Sequence, residues 1–249
     1  MYVHPVGFVP LYKRDKDAAR KLVNAFASPY FAYELSIGAM YRGGVNAVPL
    51  LRYHDMIKEV SPTSVCAGIF LYVTLDMMND MPTLVSMFTT YVQPAKEACI
   101  PVYMLITPPA AIKEPSLMKT LMHDTIQGQP SFVWLAKTVG AVGIGIDYPT
   151  GHWIAPNKAK WNPESFRTLA IYLGTQTQAA GLRFVWVLNG NPYGPGDIQR
   201  HIREVKDRGL VPDAWIVDHF NSLSLEAIPE KEPMTVTGGA YAVLSAVRT

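Results

Sequence analysis

Charge is scarce in this sequence: Asp, Glu, Lys and Arg make up 17% of 249 residues, and 22 basic against 20 acidic side chains leave a net charge of +2. No stretch gathers Lys and Arg into a long run, so no partner gripped mainly by charge is expected, neither nucleic acid nor an anionic membrane. Cysteine is scarcer still. The two present, Cys66 and Cys99, are too few for a disulfide scaffold and wrongly spaced for a zinc knuckle. No apolar run approaches the roughly 18 residues of a membrane span, and the N-terminus lacks the basic, apolar and small-residue order of a secretory signal. Also missing are HExxH, GxSxG, a P-loop and a GxGxxG turn opening into a helix, which removes zinc-protease, elbow-type serine hydrolase and nucleotide-binding readings. The six histidines are scattered without an HxH pair.

Apolar residues are plentiful, at 49% of the chain, which is ample for a large core and argues against disorder. Runs of strand length alternate with stretches of helical period. The strands read as Val6–Val9, Tyr30–Ser36, Ala67–Asp76, Pro101–Thr107, Val142–Asp147, Arg183–Asn189, Ala214–Asp218 and Met234–Thr237. Helices fit at Lys16–Ala27, Pro82–Ala98, Ser131–Val139, Pro163–Ala180, Gly196–Arg208 and Gly239–Val247, with enlarged loops near 38–60 and 108–128. Eight strands with crossover helices in a chain of this length predict an α/β fold, a single (β/α)8 TIM-barrel domain over residues 1–249. No repeat, low-complexity tract or linker divides it.

Strand alternation adds detail, because one face of each strand lines the barrel and the other meets the helices. Counting back from the polar strand ends puts Glu34, Tyr72, Asp76, Gly143, Gly145, Asp147, Val185, Val187, Asn189, Ile216 and Asp218 on the inner face. Glu34, Asp76, Asp147 and Asp218 thereby converge on the carboxyl-end rim, where barrels of this kind build active sites. Close carboxylates raise one another's pKa, which keeps one protonated as an acid while another stays ionised. A single carboxylate there would as readily cap a helix or hold a loop.

The segment GIGIDYPTGHW adds Tyr148, His152 and Trp153 beyond Asp147, and LNGNPYG offers Asn189 and Asn191. An aromatic surface beside carboxylates and amides suits a sugar ring, whose apolar face stacks while its hydroxyls are hydrogen-bonded. Tyr72 and His219 complete this substrate-binding set. Equally, Trp153 could plug a gap between helix and barrel, His152 cap a loop, and the Asn-Gly-Pro string serve only as a turn.

The order GIGIDYP, AAGLRFVWVLNGN, GLVPDAWIVDHF, IPEKEPMTVTG resembles the second half of TIM-barrel proteins of the glycoside hydrolase kind, over about residues 130–240. The resemblance implies an enzyme acting on a polysaccharide or glycoside through carboxylates at strand ends. It departs from the common pattern of glutamates after strands four and seven, since strand four ends in Thr107 and strand seven in Asp218. The expected partner is a carbohydrate substrate, with no cofactor and no metal.

Two alternatives stand beside this. Asp76, Asp147, Asp218 and His219 could hold Mg²⁺ or Ca²⁺ through oxygen in a hydrolase or lyase. A barrel that binds carbohydrate or a partner protein without turnover is the other, with the methionines from Met77 to Met87 as an adaptable surface. Cys66 and Cys99 fall at or before the starts of strands three and four, where a bridge is conceivable, though two separate thiols are the stronger expectation. A bridge would point to an exported protein.

Overall fold

The computed structural model describes residues 2–3, 5–24, 30–36, 50–73, 80–106, 125–126, 129–146, 153, 163–189 and 195–218. Strand β1 (Tyr2–Val3) leads into helices α1 (Pro5–Arg14) and α2 (Lys16–Asn24), then strand β2 (Tyr30–Ser36). Helix α3 (Leu50–Val60), strand β3 (Val65–Val73), helix α4 (Met81–Glu97) and strand β4 (Val102–Ile106) follow. Two short strands, β5 (Thr125–Ile126) and β6 (Gln129–Pro130), pair with each other. The chain resumes with helix α5 (Phe132–Val139), strand β7 (Gly143–Ile146), helix α6 (Pro163–Ala179), strand β8 (Arg183–Asn189), helix α7 (Pro195–Asp207) and strand β9 (Ala214–Asp218).

Among the described residues the main sheet is all-parallel, in the order β1-β2-β3-β4-β7-β8-β9. Its edges curl towards each other until Cα atoms of β1 and β9 come within 8 Å. The fold is thus α/β with a curved parallel sheet, as the strand–helix alternation implies.

Three expectations need correction. Val6–Val9 is helical, within α1, and the first strand is Tyr2–Val3. A four-residue apolar run cannot settle its own period; Phe8 and Leu11, both buried, show the i, i+3 spacing that a longer window would have favoured. Residues 50–60 form α3, so that loop is shorter than expected. The loop expected at 108–128 includes part of the β5–β6 hairpin. The strand at Met234–Thr237 and the helix at Gly239–Val247 lie outside the described residues.

The two sheet faces are as the alternation predicts. Ile69, Leu71, Val73, Met104, Ile106, Ile144, Ile146, Phe184, Trp186 and Leu188 pack outward against buried helix side chains such as Leu84, Phe88, Leu135, Phe166 and Ile202. The inner face is a separate cluster of Phe70, Tyr103, Leu105, Val185 and Val187, joined by Tyr72 and Ile216. Phe70 and Tyr103 stack at 4.9 Å with their planes 7° apart. Gly143 makes room for them: a Cβ there would lie 2.9 Å from the Tyr103 ring and 2.2 Å from the Arg183 carbonyl oxygen. The lumen is a packed core rather than a pore.

Each helix that feeds β4, β7, β8 or β9 ends in the same corner. An amide two or three residues past the helix end donates back across the last turn: Ile100 to Ala95 at 2.8 Å, Ala141 to Ala136 at 2.9 Å, Leu182 to Thr177 at 3.1 Å and Leu210 to Val205 at 3.3 Å. This Schellman geometry needs a left-handed residue just before that amide, a backbone region nearly free of cost only for glycine. Gly140, Gly181 and Gly209 fill it at φ of 73°, 76° and 82°, and Cys99 fills the fourth at 56°. A side chain in this region costs about 1–2 kcal/mol, less the backbone entropy that glycine loses on folding. Cys99→Gly is therefore expected to stabilise the fold by about 0.5–1 kcal/mol in urea titrations, and Gly209→Cys to destabilise it by a similar amount.

Both cysteines are free, Cys99 exposed and Cys66 half-buried, so the separate-thiol expectation holds. Burial pushes the Cys66 thiol up to about 12, which makes it a poor nucleophile at neutral pH.

Candidate functional site

The carboxyl ends of the strands set the rim. Asn189 and Asp218 end β8 and β9 as register partners, and Ser36 stands opposite Tyr72, which stands opposite Leu105. Adjacent partners are about 4.8 Å apart across the sheet. Asn189 continues the parity of Val185 and Val187, and Asp218 that of Ile216, so both backbone positions belong to the series that lines the inner cluster. Glu34 sits deeper. Its register partner is Phe70, whose ring is part of the stacked floor.

Tyr72 lies two residues above Phe70 and is partly exposed, unlike the fully enclosed Leu105 and Val185 beside it. It marks the level at which the packed lumen becomes accessible. Below, Arg183 begins β8 with its guanidinium beside the Tyr103 hydroxyl, closing the opposite end. Asp76, Asp147, Tyr148, His152, Asn191 and His219 lie outside the described residues, as do the side chains of Glu34, Asn189 and Asp218. Among the described residues no group of three or more His, Cys, Asp or Glu could hold a metal ion. No described helix is long and apolar enough to cross a membrane.

Trp153 is a correction. Its ring, 1% exposed, faces the outer layer and not the rim. It stacks on His201 of α7 at 5.0 Å, with planes 16° apart, and meets the edge of Trp186 at 5.6 Å. Its indole N–H donates to Glu204 at 2.6 Å, while Arg167 donates to its backbone carbonyl at 2.9 Å. Buried on these sides, it has no ring face left for a sugar; the gap-filling alternative is the one realised.

The surrounding charges form a network that sequence inspection did not single out. Arg208 makes a bidentate pair with Glu164, at 2.6 and 2.9 Å, which holds the Glu164 carboxyl below its ordinary range. Arg167 and Arg208 both stand over the Trp153 ring, at 5.6 and 5.7 Å from its centroid. The signal was available: His201, Glu204 and Arg208 recur at helical spacing on a helix whose Ile198, Ile202 and Val205 are apolar.

No protein-family model and no curated protein matches the chain. Solved structures do. A sugar phosphate isomerase/epimerase from Parabacteroides distasonis superposes with TM-score 0.52 at 11% identity, over 99% of this chain and 93% of that one. The second catalytic domain of a group II chitinase from Ostrinia furnacalis gives 0.44 at 11% identity, over 86% of this chain and 60% of that one. ZgEngAGH5_4, solved with cellotriose, gives 0.45 at 10% identity, over 94% of this chain and 88% of that one.

The resemblance is one of fold. At this identity the isomerase match supports the TIM-barrel-like architecture and nothing about chemistry, since one such fold hosts many reactions.

Proposed function

We propose that the chain is a (β/α)8 barrel enzyme that cleaves a glycosidic bond in an oligo- or polysaccharide. Asp147 acts as nucleophile or base and Asp218 as proton donor, with Asp76 a further carboxylate of the mouth and Glu34 one lying deeper. Tyr72, Tyr148, His152, Asn189, Asn191 and His219 contact the sugar.

The observation that carries this reading is the strand register. Asn189 stands opposite Asp218 at the ends of β8 and β9, and β7, ending at Ile146 opposite Trp186, lies on the other side of β8, an order that supports a site shared by the ends of β7, β8 and β9. Backbones two strands apart are roughly 9–10 Å from each other. Inward carboxyl groups from such positions reach either the roughly 5–5.5 Å of a retaining mechanism or the roughly 6.5–9.5 Å of an inverting one. In this reading the amide of Asn189, on the strand between them, bonds a sugar hydroxyl. The approach of β1 and β9 supports closure of the sheet.

The test is release of new reducing ends from a panel of soluble oligo- and polysaccharides, run beside binding to the same panel. Turnover on one member is the expected result. Saturable binding without turnover makes the protein a carbohydrate-binding barrel, and neither binding nor turnover across the panel rejects the reading.

A further inference from the structure

Trp153 lies between the end of β7 at Ile146 and the start of α6 at Pro163, and its contacts are with the outer layer. It is the described residue between those two elements, and its ring is held against α7. The floor of its binding slot is His201, fully buried, with neither ring nitrogen hydrogen-bonded. A neutral imidazole between two indoles is tolerable as an aromatic plate, whereas an imidazolium there has two N–H donors and no acceptor.

We propose that Trp153 and His201 form an acid-releasable latch that fastens Trp153 to helix α7. The charges around the slot oppose protonation or are already committed. From α6, Arg167 stands over the Trp153 ring, and Glu164 is bound to Arg208 in the turn after α7. On α7, Glu204 accepts the Trp153 indole N–H, and Arg200 is exposed and bonded to Asp197 at 2.8 Å. The strands contribute Trp186 from β8 and Trp215 from β9, and neither titrates. Among the described residues no carboxylate is hydrogen-bonded to either ring nitrogen of His201.

Burial, with Arg167 adding repulsion, lowers His201 from 6.5 to about 3. The sign follows. The released state takes up a proton below pH 6.5 and the latched state does not, so latching is at full strength above 6.5 and weakens as pH falls towards 3. Each unit in that window raises the ratio of released to latched molecules about tenfold. Between pH 7.5 and 5.0, where most carboxylates stay ionised, the ratio rises about thirtyfold.

Amide hydrogen exchange reads the opening constant directly, after correction for the intrinsic pH dependence of exchange. Peptides covering Trp153 and α7 are expected to open about thirtyfold more at pH 5.0 than at 7.5, and to be less protected than β3 and β4 at both. In His201→Phe, or in His201→Leu as a second apolar replacement, the opening should be flat with pH. Three results overturn the latch: a flat profile in the unaltered protein, the same rise in both variants, or α7 opening only together with β3 and β4. The measurement uses no substrate, so it stands apart from the fate of the glycosidase reading.

Discussion

Trp186→Ala is expected to cost about 3–5 kcal/mol, among the largest losses any single truncation can produce in this fold. The side chain is wholly buried, with four ring neighbours: Trp153 and His201 at 5.6 Å, Phe184 at 6.0 Å and Trp215 at 6.1 Å. Alanine removes the body that these rings share, and they cannot all collapse into one space, because Phe184 is fixed on β8, Trp215 on β9 and His201 on α7, with Trp153 stacked on His201. At roughly 2–4 °C per kcal/mol for a chain of this size, the melting temperature should fall by about 6–20 °C. Trp186→Phe separates packing from polarity. The indole nitrogen has no hydrogen-bond partner, so replacing it by carbon forfeits area alone and should cost well under half as much. Equal losses in the two variants would show that the ring neighbours do not hold the site together.

Asp147→Asn and Asp218→Asn are each expected to lower turnover on the identified glycoside by about 10²–10⁴-fold, with circular dichroism unchanged. An amide keeps the shape of the carboxylate but can neither take a proton, attack the anomeric carbon nor donate as an acid, so loss should fall on kcat more than on KM. With one proton shared between close carboxylates, the unaltered enzyme should show a bell-shaped pH–rate profile, and each variant should lose one limb. If both variants keep full activity, the roles pass to Glu34 and Asp76, and Glu34→Gln with Asp76→Asn becomes the decisive pair.

Strand alternation was legible because parity is a strict rule: once Asp218 or Asn189 is set inward, Val185, Val187 and Ile216 must follow, and they form the inner cluster. The helix ends read at Ala98, Val139, Ala180 and Arg208 all fall just before a left-handed residue; at Gly140, Gly181 and Gly209 a glycine signals it, whereas Cys99 carries no such signal. Trp153 failed for a different reason. Nearness in sequence to Asp147 says nothing about which side of the sheet a residue reaches after six further residues of chain, and an aromatic ring suits a core as well as a ligand. Only the partners decide, and those come from α6 and α7, distant in sequence.

The order of strands in the sheet repeats their order in the chain, with only the small β5–β6 hairpin set aside. As a nascent polypeptide, each strand therefore leaves the ribosome with its neighbour already made, and the sheet can grow from one end without waiting for later segments. Pairing of β1 with β2, then β3, then β4 needs only loops of modest length, each closed at small entropic cost. The contact between β1 and β9 is the exception. It joins segments more than two hundred residues apart, so β1 is made long before β9 exists to approach it.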